Sequence, residues 1–122
     1  MLKQLSGILP DQKTILIYEG VPVEKSLQQI VEIGEALSHP VRLKLLYLLA
    51  ERERYVYELA KDLDLSRQVV NLHLKRLEKA GFVESDLRLE DDDMRAKKFY
   101  RLKEFEVSLS MEDLEKIFEK HS

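Results

Sequence analysis

A mainly α-helical fold with a small β-hairpin, of the α+β class, is predicted by three features of the 122-residue sequence. Apolar residues recur with a helical period of about 3.6 between residues 26 and 80. From Phe82 onward the period changes to two, as in β-strands. Gly81 stands between the two patterns, at a point where glycine commonly ends a helix. Helices are therefore expected first and a hairpin after them.

Residues 1–25 are expected to form an N-terminal extension that contains one strand. Lys13–Tyr18 is a short β-type run between Pro10-Asp11 and Gly20–Pro22, which are turn-forming sequences. A lone strand is not stable and must pair with another. The two partners considered are the C-terminal hairpin and a second subunit.

Two helices are predicted in the first half of the chain. Ser26 opens the first, whose apolar face consists of Leu27, Ile30, Val31 and Leu37. It ends near His39, a turn or capping residue, because the position before Pro40 disfavours helical dihedral angles. Pro40 suits the first turn of the second helix, which runs from Val41 to Glu51. The side chains that this second helix is expected to bury are Leu43, Leu46, Tyr47, Leu49 and Ala50.

The segment Glu58–Val83 has the pattern of a helix-turn-helix. A short helix over Tyr55–Leu63 is expected to direct Val56, Leu59, Ala60 and Leu63 inward. Asp64 and Leu65 form the turn, and Ser66 is a favourable N-cap for a longer helix that runs to Ala80. The second helix of such a motif is shaped to lie in a DNA major groove.

A β-hairpin and a closing helix complete the predicted fold. Phe82–Leu89 and Ala96–Leu102 alternate as strands, and Glu90–Met94 is the loop between them. The closing helix spans Ser110–Lys120, with Ser110 as N-cap and Asp113 as its capping-box partner. Its apolar stripe consists of Met111, Leu114, Ile117 and Phe118. This order predicts a winged helix-turn-helix domain over residues 26–122, with the closing helix as a dimerisation helix.

One stripe of the recognition helix carries side chains suited to contacts with DNA. Val70, Leu74 and Leu77 fall on the apolar stripe, and Arg67, Gln68, Asn71 and Lys75 are assigned to the opposite one. The base-reading candidates are Arg67, Gln68 and Asn71, because the N-terminal turn lies deepest in the groove and these types pair with base edges. The phosphate-binding candidates are Lys75, Arg76 and Lys79. A polar stripe alone is typical of a solvated helix, but here a turn precedes it and a hairpin follows.

The hairpin, called the wing, is basic along its strands and acidic at its tip. Its cations are Arg88, Arg95, Lys97, Lys98 and Arg101, of which Arg95, Lys97 and Lys98 are the DNA-binding candidates. The alternative is an exposed edge strand that charge keeps soluble. The acidic run over residues 90–93 repels phosphate, so it points away from DNA, is neutralised by Arg95 and Lys97, or makes the wing contact weak. It lacks the spacing of a calcium loop.

Charge and composition narrow the class of protein. The net charge is −3, but residues 66–103 hold ten Lys/Arg and seven Asp/Glu, so they carry +3 and the remainder −6. The absence of cysteine excludes disulfides and thiolate chemistry and fits an intracellular protein. No apolar run approaches the ~20 residues of a membrane span. No nucleophile–base pair, glycine-rich phosphate loop or metal-ligand spacing is found, so neither an enzyme nor a bound cofactor is expected.

Five segments of the chain resemble the ArsR-type transcriptional regulators. The matching segments are ALSHPVRLKLL (36–46), ELA (58–60), LSRQVVNLHLKRL (65–77), AGFV (80–83) and FYRL (99–102). Together they lie within residues 33–103. The resemblance implies a homodimeric, DNA-binding transcriptional regulator, usually a repressor, that dimerises through its first and last helices.

The resemblance also bears on individual residues. His73 matches a family histidine and is expected to be packed or hydrogen-bonded rather than a ligand. Arg42 matches a family arginine, and it either contacts a phosphate or braces the domain through a salt bridge. Metal-sensing members carry cysteines on the first helix of the motif or paired ligands on the last helix. This chain has no cysteine, and its last helix offers Glu112, Asp113, Glu115 and His121 without that spacing. No metal is therefore expected, and no small-molecule effector is identified.

Two functions are consistent with these features of the sequence. The leading hypothesis is a cytoplasmic homodimer that binds specific sequences of double-stranded DNA and regulates transcription as a repressor. The alternative is a winged-helix subunit that contacts other proteins in a larger assembly, with weak or no DNA binding. The acidic wing tip and the negative net charge favour the alternative.

Overall fold

Five helices and two three-stranded antiparallel sheets make up the computed structural model, which describes residues 14–18, 21–24, 26–90 and 93–120. The helices are α1 (Leu27–Ala36), α2 (Pro40–Glu51), α3 (Val56–Leu63), α4 (Arg67–Lys79) and α5 (Met111–Lys120). The strands are β1 (Thr14–Tyr18), β2 (Val21–Glu24), β3 (Arg54–Tyr55), β4 (Val83–Glu90), β5 (Asp93–Leu102) and β6 (Phe105–Val107). The predicted α+β class and winged helix-turn-helix order are confirmed. Contacts group the chain into two compact units, residues 1–31 with 104–122, and residues 32–103.

The N-terminal strand pairs with partners that the sequence did not indicate. The first unit contains a sheet of order β2-β1-β6, in which Leu16 lies opposite Val23 on one side and Val107 on the other. The strand itself is confirmed, but it pairs within this chain with β2 and β6 and not with the hairpin, which was one of the two partners considered. Pro22 lies in the edge strand β2, where a missing backbone N–H costs no ladder bond.

Two serine-led capping boxes begin the helices α1 and α5. Ser26 Oγ accepts from the Gln29 N–H at 3.2 Å, and the Ser26 N–H donates to Gln29 Oε1 at 2.9 Å. Ser110 and Asp113 make the same reciprocal pair at 3.1 and 3.0 Å, as predicted. The apolar side chains that these two segments leave exposed are Leu27, Val31, Leu109, Met111 and Phe118. Leu27 and Val31 were expected on the apolar face of α1, but both are exposed, and the buried residues of this helix are Ile33 and Ala36.

The core of the second unit is built from the end of α1, from α2, α3 and α4, and from the wing. Its fully or nearly fully buried apolar residues are Ile33, Ala36, Leu45, Leu46, Leu49, Leu59, Ala60, Val70, Leu74, Leu77, Phe82, Val83 and Tyr100. The prediction for α2 was partly wrong, because Leu43, Tyr47 and Ala50 are exposed whereas Leu45 is buried. Apolar residues occupy nearly every face of this helix, so spacing alone does not identify the inner face.

The wing sheet has the order β3-β5-β4. Arg54 and Tyr55 pair with Tyr100 and Phe99, which adds a third strand too short to show any alternation in the sequence. Glu90 lies opposite Asp93, so the strands extend further than predicted. The loop predicted over residues 90–94 is correspondingly shorter. The centre of the acidic tip, residues 91–92, lies outside the described residues, as do the side chains of 90 and 93–95. None of the described helices has the length and apolar character needed to cross a membrane.

Candidate nucleic-acid interface

The turn between α3 and α4 is fixed by backbone hydrogen bonds and a serine cap. Asp64 adopts a left-handed conformation with φ 57°, which aspartate tolerates better than most residues. The Leu65 N–H then donates to Ala60 O at 3.0 Å and closes α3. Ser66 Oγ accepts from the Val69 N–H at 3.2 Å, so the predicted N-cap of α4 is confirmed. At its other end α4 is terminated by Gly81, whose φ is 89°.

The outward face of α4 differs from the polar stripe that was predicted. Val70, Leu74 and Leu77 are fully buried, as predicted. Successive residues of a helix are rotated by about 100° around its axis. The face opposite the buried stripe therefore consists of Gln68, Leu72, Lys75 and Lys79. Leu72 is 70% exposed, whereas Asn71 lies to one side and is half-buried. The predicted stripe was therefore wrong at its centre, where Leu72 stands.

Arg67 and Lys97 lie at opposite ends of a column of aromatic rings. The Arg67 guanidinium is 5.9 Å from the centroid of the Tyr57 ring, which stacks on Tyr55 at 6.2 Å with an interplanar angle of 24°. Lys97 Nζ lies 4.7 Å from the Tyr55 centroid. Each cation is attracted to the electron-rich ring face, so the column links the start of α4 to the wing. Neither tyrosine was predicted from the sequence to belong to the interface.

A cleft of about 450 Å³ opens beside this column. Its lining residues are Tyr55, Val56, Tyr57, Arg67, Ala96, Lys97 and Lys98. Three of these described lining residues are cationic and none is acidic. The helix α3 also begins here, and at its first turn the Tyr55 N–H donates to Glu58 Oε1 at 3.1 Å. The cleft therefore brings together three predicted DNA-binding residues in surroundings that suit phosphate.

Two other wing arginines are already bound to carboxylates. Arg88 donates to both Glu53 oxygens at 2.6 and 2.8 Å and to Asp86 at 2.9 Å. Arg101 donates to Glu84 at 3.0 Å and to Asp86 at 3.3 Å. Hydrogen bonding to Arg88 is the main cause of the lowered pKa of both Glu53 and Asp86. This network stabilises the wing, and it neutralises two of the cations, Arg88 and Arg101, that make the wing sequence basic.

The other predicted DNA-binding residues differ in their exposure and in their contacts. Lys75 and Lys79 are exposed on α4. Arg76 faces Glu35 at 3.4 Å, but both side chains are more than half exposed, and such pairs exchange readily for other partners. Lys98 Nζ lies 5.5 Å from the Tyr100 ring. Arg95 belongs to β5, but its side chain lies outside the described residues.

Arg42 braces the start of α2 against two neighbouring elements. Its Nε and Nη2 donate to the carbonyl oxygens of Ala36 and Glu35, both at 2.8 Å, and so cap the C-terminus of α1. Its Nη1 lies 3.0 Å from His73 Nδ1 on α4. Of the two roles expected for Arg42, bracing is the one observed, although carbonyl groups and an imidazole replace the expected salt bridge.

His73 is hydrogen-bonded, as predicted, and the contact defines its tautomer. Arginine can only donate, so Nδ1 must accept and the ring proton resides on Nε2. Burial, followed by the nearby His39 and Arg42, lowers the pKa of His73. His39 also caps α2, because its Nδ1 accepts from the Val41 N–H at 3.1 Å. The neutral imidazole is thus a structural acceptor that holds α4 in place.

Comparison with known proteins identifies relatives of this arrangement. Residues 39–85 match the model of the bacterial regulatory protein family arsR. An HTH-type transcriptional regulator of Methanocaldococcus jannaschii is 50% identical over 93 residues, which are 76% of this chain and 96% of that protein. The biofilm growth-associated repressor of Xylella fastidiosa is 30% identical over 96 residues, 79% of each chain.

A solved structure supports the same assignment. The homodimeric winged helix-turn-helix DNA-binding domain of a Mycobacterium bovis protein superimposes with a TM-score of 0.54 and 28% identity. The match covers 78% of this chain and 76% of that one. The helices, turn and wing described above, with 50% identity over 93 residues to the Methanocaldococcus jannaschii regulator, establish that this chain belongs to the ArsR family of helix-turn-helix transcriptional regulators.

Proposed function

We propose that this regulator is a homodimeric repressor that binds specific sequences of duplex DNA and has no catalytic activity. The observation that carries the proposal is the exposed outward face of α4, which continues through Arg67 into the cationic cleft beside the wing. A repressor among its relatives supports the direction of regulation. This function requires the protein in the compartment that holds the DNA, which is the cytoplasm in bacteria and archaea.

The side chains divide into base-reading and phosphate-binding groups. Arg67, Gln68 and Asn71 lie in the first turns of α4, which enter deepest into the major groove. The phosphate-binding group consists of Lys75, Arg76, Lys79, Arg95, Lys97 and Lys98. The cleft between Arg67 and Lys97 holds the DNA backbone where it passes from the groove to the wing.

The test of DNA binding is its dependence on salt. Affinity for duplex DNA is expected to fall steeply with ionic strength, because each neutralised phosphate adds about 0.9 to the slope of log affinity against log salt. Lys79→Ala should weaken binding to all sequences alike and reduce that slope by about one per protomer. Fluorescence anisotropy on labelled fragments measures both quantities.

A matched control is available on the neighbouring helix. Lys61 is exposed on α3, directly before Asp62, and does not line the cleft. Lys61→Ala should leave the slope unchanged. Failure of the unaltered protein to bind any duplex at low salt would contradict the proposed function.

Dimerisation is expected to use the apolar side chains that α1 and α5 leave exposed. Met111 and Phe118 on α5 are 68% and 56% exposed, and the Mycobacterium bovis domain is homodimeric. Replacing both with glutamate should convert a dimer to a monomer, as measured by light scattering, because charge opposes burial in an interface. Leu87→Glu on the wing, where the leucine is equally exposed, should leave the dimer intact. A double variant that remains dimeric would move the interface elsewhere.

A protein-binding role is the second candidate, and one observation favours it. Leu87 and Leu89 are both largely exposed and lie on the same face of β4, next to Ala96 of β5. Such an apolar face is typical of contacts with other proteins. Absence of duplex binding combined with a stable hetero-complex that Leu89→Glu disrupts would support this role.

A further inference from the structure

Leu72, an exposed leucine on α4, has no role in the DNA-binding proposal. Leu72 occupies the centre of the outward face, one turn after Gln68 and one turn before Lys75 and Arg76. Val69, one turn earlier on the same side, is also exposed. Singly exposed apolar residues are common, so the position of Leu72 matters more than its exposure. It stands where α4 faces the major groove in the proposed complex.

The chemistry of the major groove leaves one good partner for such a side chain. Guanine, adenine and cytosine present hydrogen-bonding groups at the groove edge, whereas thymine alone adds an apolar group, its C5-methyl. Leucine has no donor or acceptor and would strip water from polar edges without replacing it. Contact with a methyl group, in contrast, is favourable because it removes apolar surface of both groups from water.

We propose that Leu72, with Val69 beside it, reads the C5-methyl group of a thymine in each half-site of the operator. This proposal rests on the proposed function and extends it, since it names a base that the polar residues of α4 do not determine. The cations Lys75 and Arg76 flank Leu72 and hold the backbone on either side of that base. Specificity at this position therefore comes from apolar contact rather than from hydrogen bonds.

The experiment removes only the methyl group from the DNA. A duplex is selected from a random pool by the unaltered protein, and each thymine is then replaced singly by deoxyuridine. At one position per half-site, affinity should fall about fourfold, the value of roughly one buried methyl group, and by more than tenfold when both half-sites are changed. Leu72→Ala should lose most of this difference between the thymine and deoxyuridine duplexes, since only Val69 then remains beside the methyl group.

Leu87→Ala is the matched control, because Leu87 is as exposed as Leu72 but lies on the wing. It should keep the full sensitivity to deoxyuridine. Tight duplex binding that no deoxyuridine weakens, or a Leu72→Ala variant as sensitive as the unaltered protein, would overturn the proposal while leaving DNA binding established. Absence of binding to any selected duplex would overturn both this proposal and the proposed function.

Discussion

Simultaneous replacement of Arg67, Gln68 and Lys75 by alanine is expected to reduce affinity for the selected operator by at least a hundredfold. Well-formed contacts to base edges each contribute about 1–3 kcal/mol, so the loss of the Arg67 and Gln68 contacts in both half-sites exceeds the ~2.7 kcal/mol that corresponds to this factor, before the Lys75 phosphate contacts are counted. All three side chains are exposed. The melting temperature should therefore change little, because exposed substitutions rarely alter stability by more than about 0.5 kcal/mol.

The control for this triple variant removes the same number of positive charges elsewhere. Lys44 and Lys61 are exposed on α2 and α3, outside the cleft and off α4. Changing both to alanine should lower operator affinity less than threefold, since only long-range attraction is lost and salt screens it. Anisotropy titrations on operator and on unrelated DNA would measure the two variants together. Unchanged operator binding by the triple variant would show that α4 is not the reading helix.

The features that the sequence predicted correctly depend on chemistry within a few residues. Ser66 and Ser110 cap their helices, His39 caps α2, and Gly81 ends α4 with a positive φ, all as expected. Each of these interactions joins residues close in the chain, so it can be recognised without knowledge of the tertiary structure. The same is true of the wing, whose alternation over Val83–Leu102 gives a long hairpin.

The features that were missed depend on contacts between distant segments. Arg88 was counted among the cations that make the wing basic, but Glu53, thirty-five residues earlier, binds it through both oxygens. The stack of Tyr57 on Tyr55, with Lys97 against it, likewise requires the α3 terminus and the wing to meet. The omission of Leu72 from the predicted outward face has a different cause. It could have been avoided from the sequence, because the positions of Val70, Leu74 and Leu77 already define the direction opposite the core.

Replacing Arg42 with methionine is expected to reduce the free energy of unfolding by about 2 kcal/mol, and to lower the melting temperature by about 8 °C. The guanidinium satisfies two carbonyl oxygens at the end of α1 and His73 on α4 at once. Methionine retains the apolar stem but leaves those three acceptors without their donor. Arg42→Lys should lose most of the same stability, because a single ammonium group cannot reproduce the planar fork. Thermal and urea denaturation would measure the three proteins.

Arg52→Met is the control for Arg42→Met, because it removes an arginine that lacks the carbonyl and imidazole contacts of Arg42. Arg52 makes an ion pair with Glu58 at 3.2 Å, and its side chain is 57% exposed. Exposed pairs of this kind contribute about 0–1 kcal/mol, so the variant should remain close to the unaltered protein. Equal losses for Arg42→Met and Arg52→Met would show that the carbonyl and imidazole contacts do not stabilise the domain. If Arg42 does position α4 through His73, its replacement should also weaken operator binding at temperatures where the variant is still folded. Arg52→Met should not weaken operator binding, since the ion pair of Arg52 is with Glu58 on α3 and not with a residue of α4.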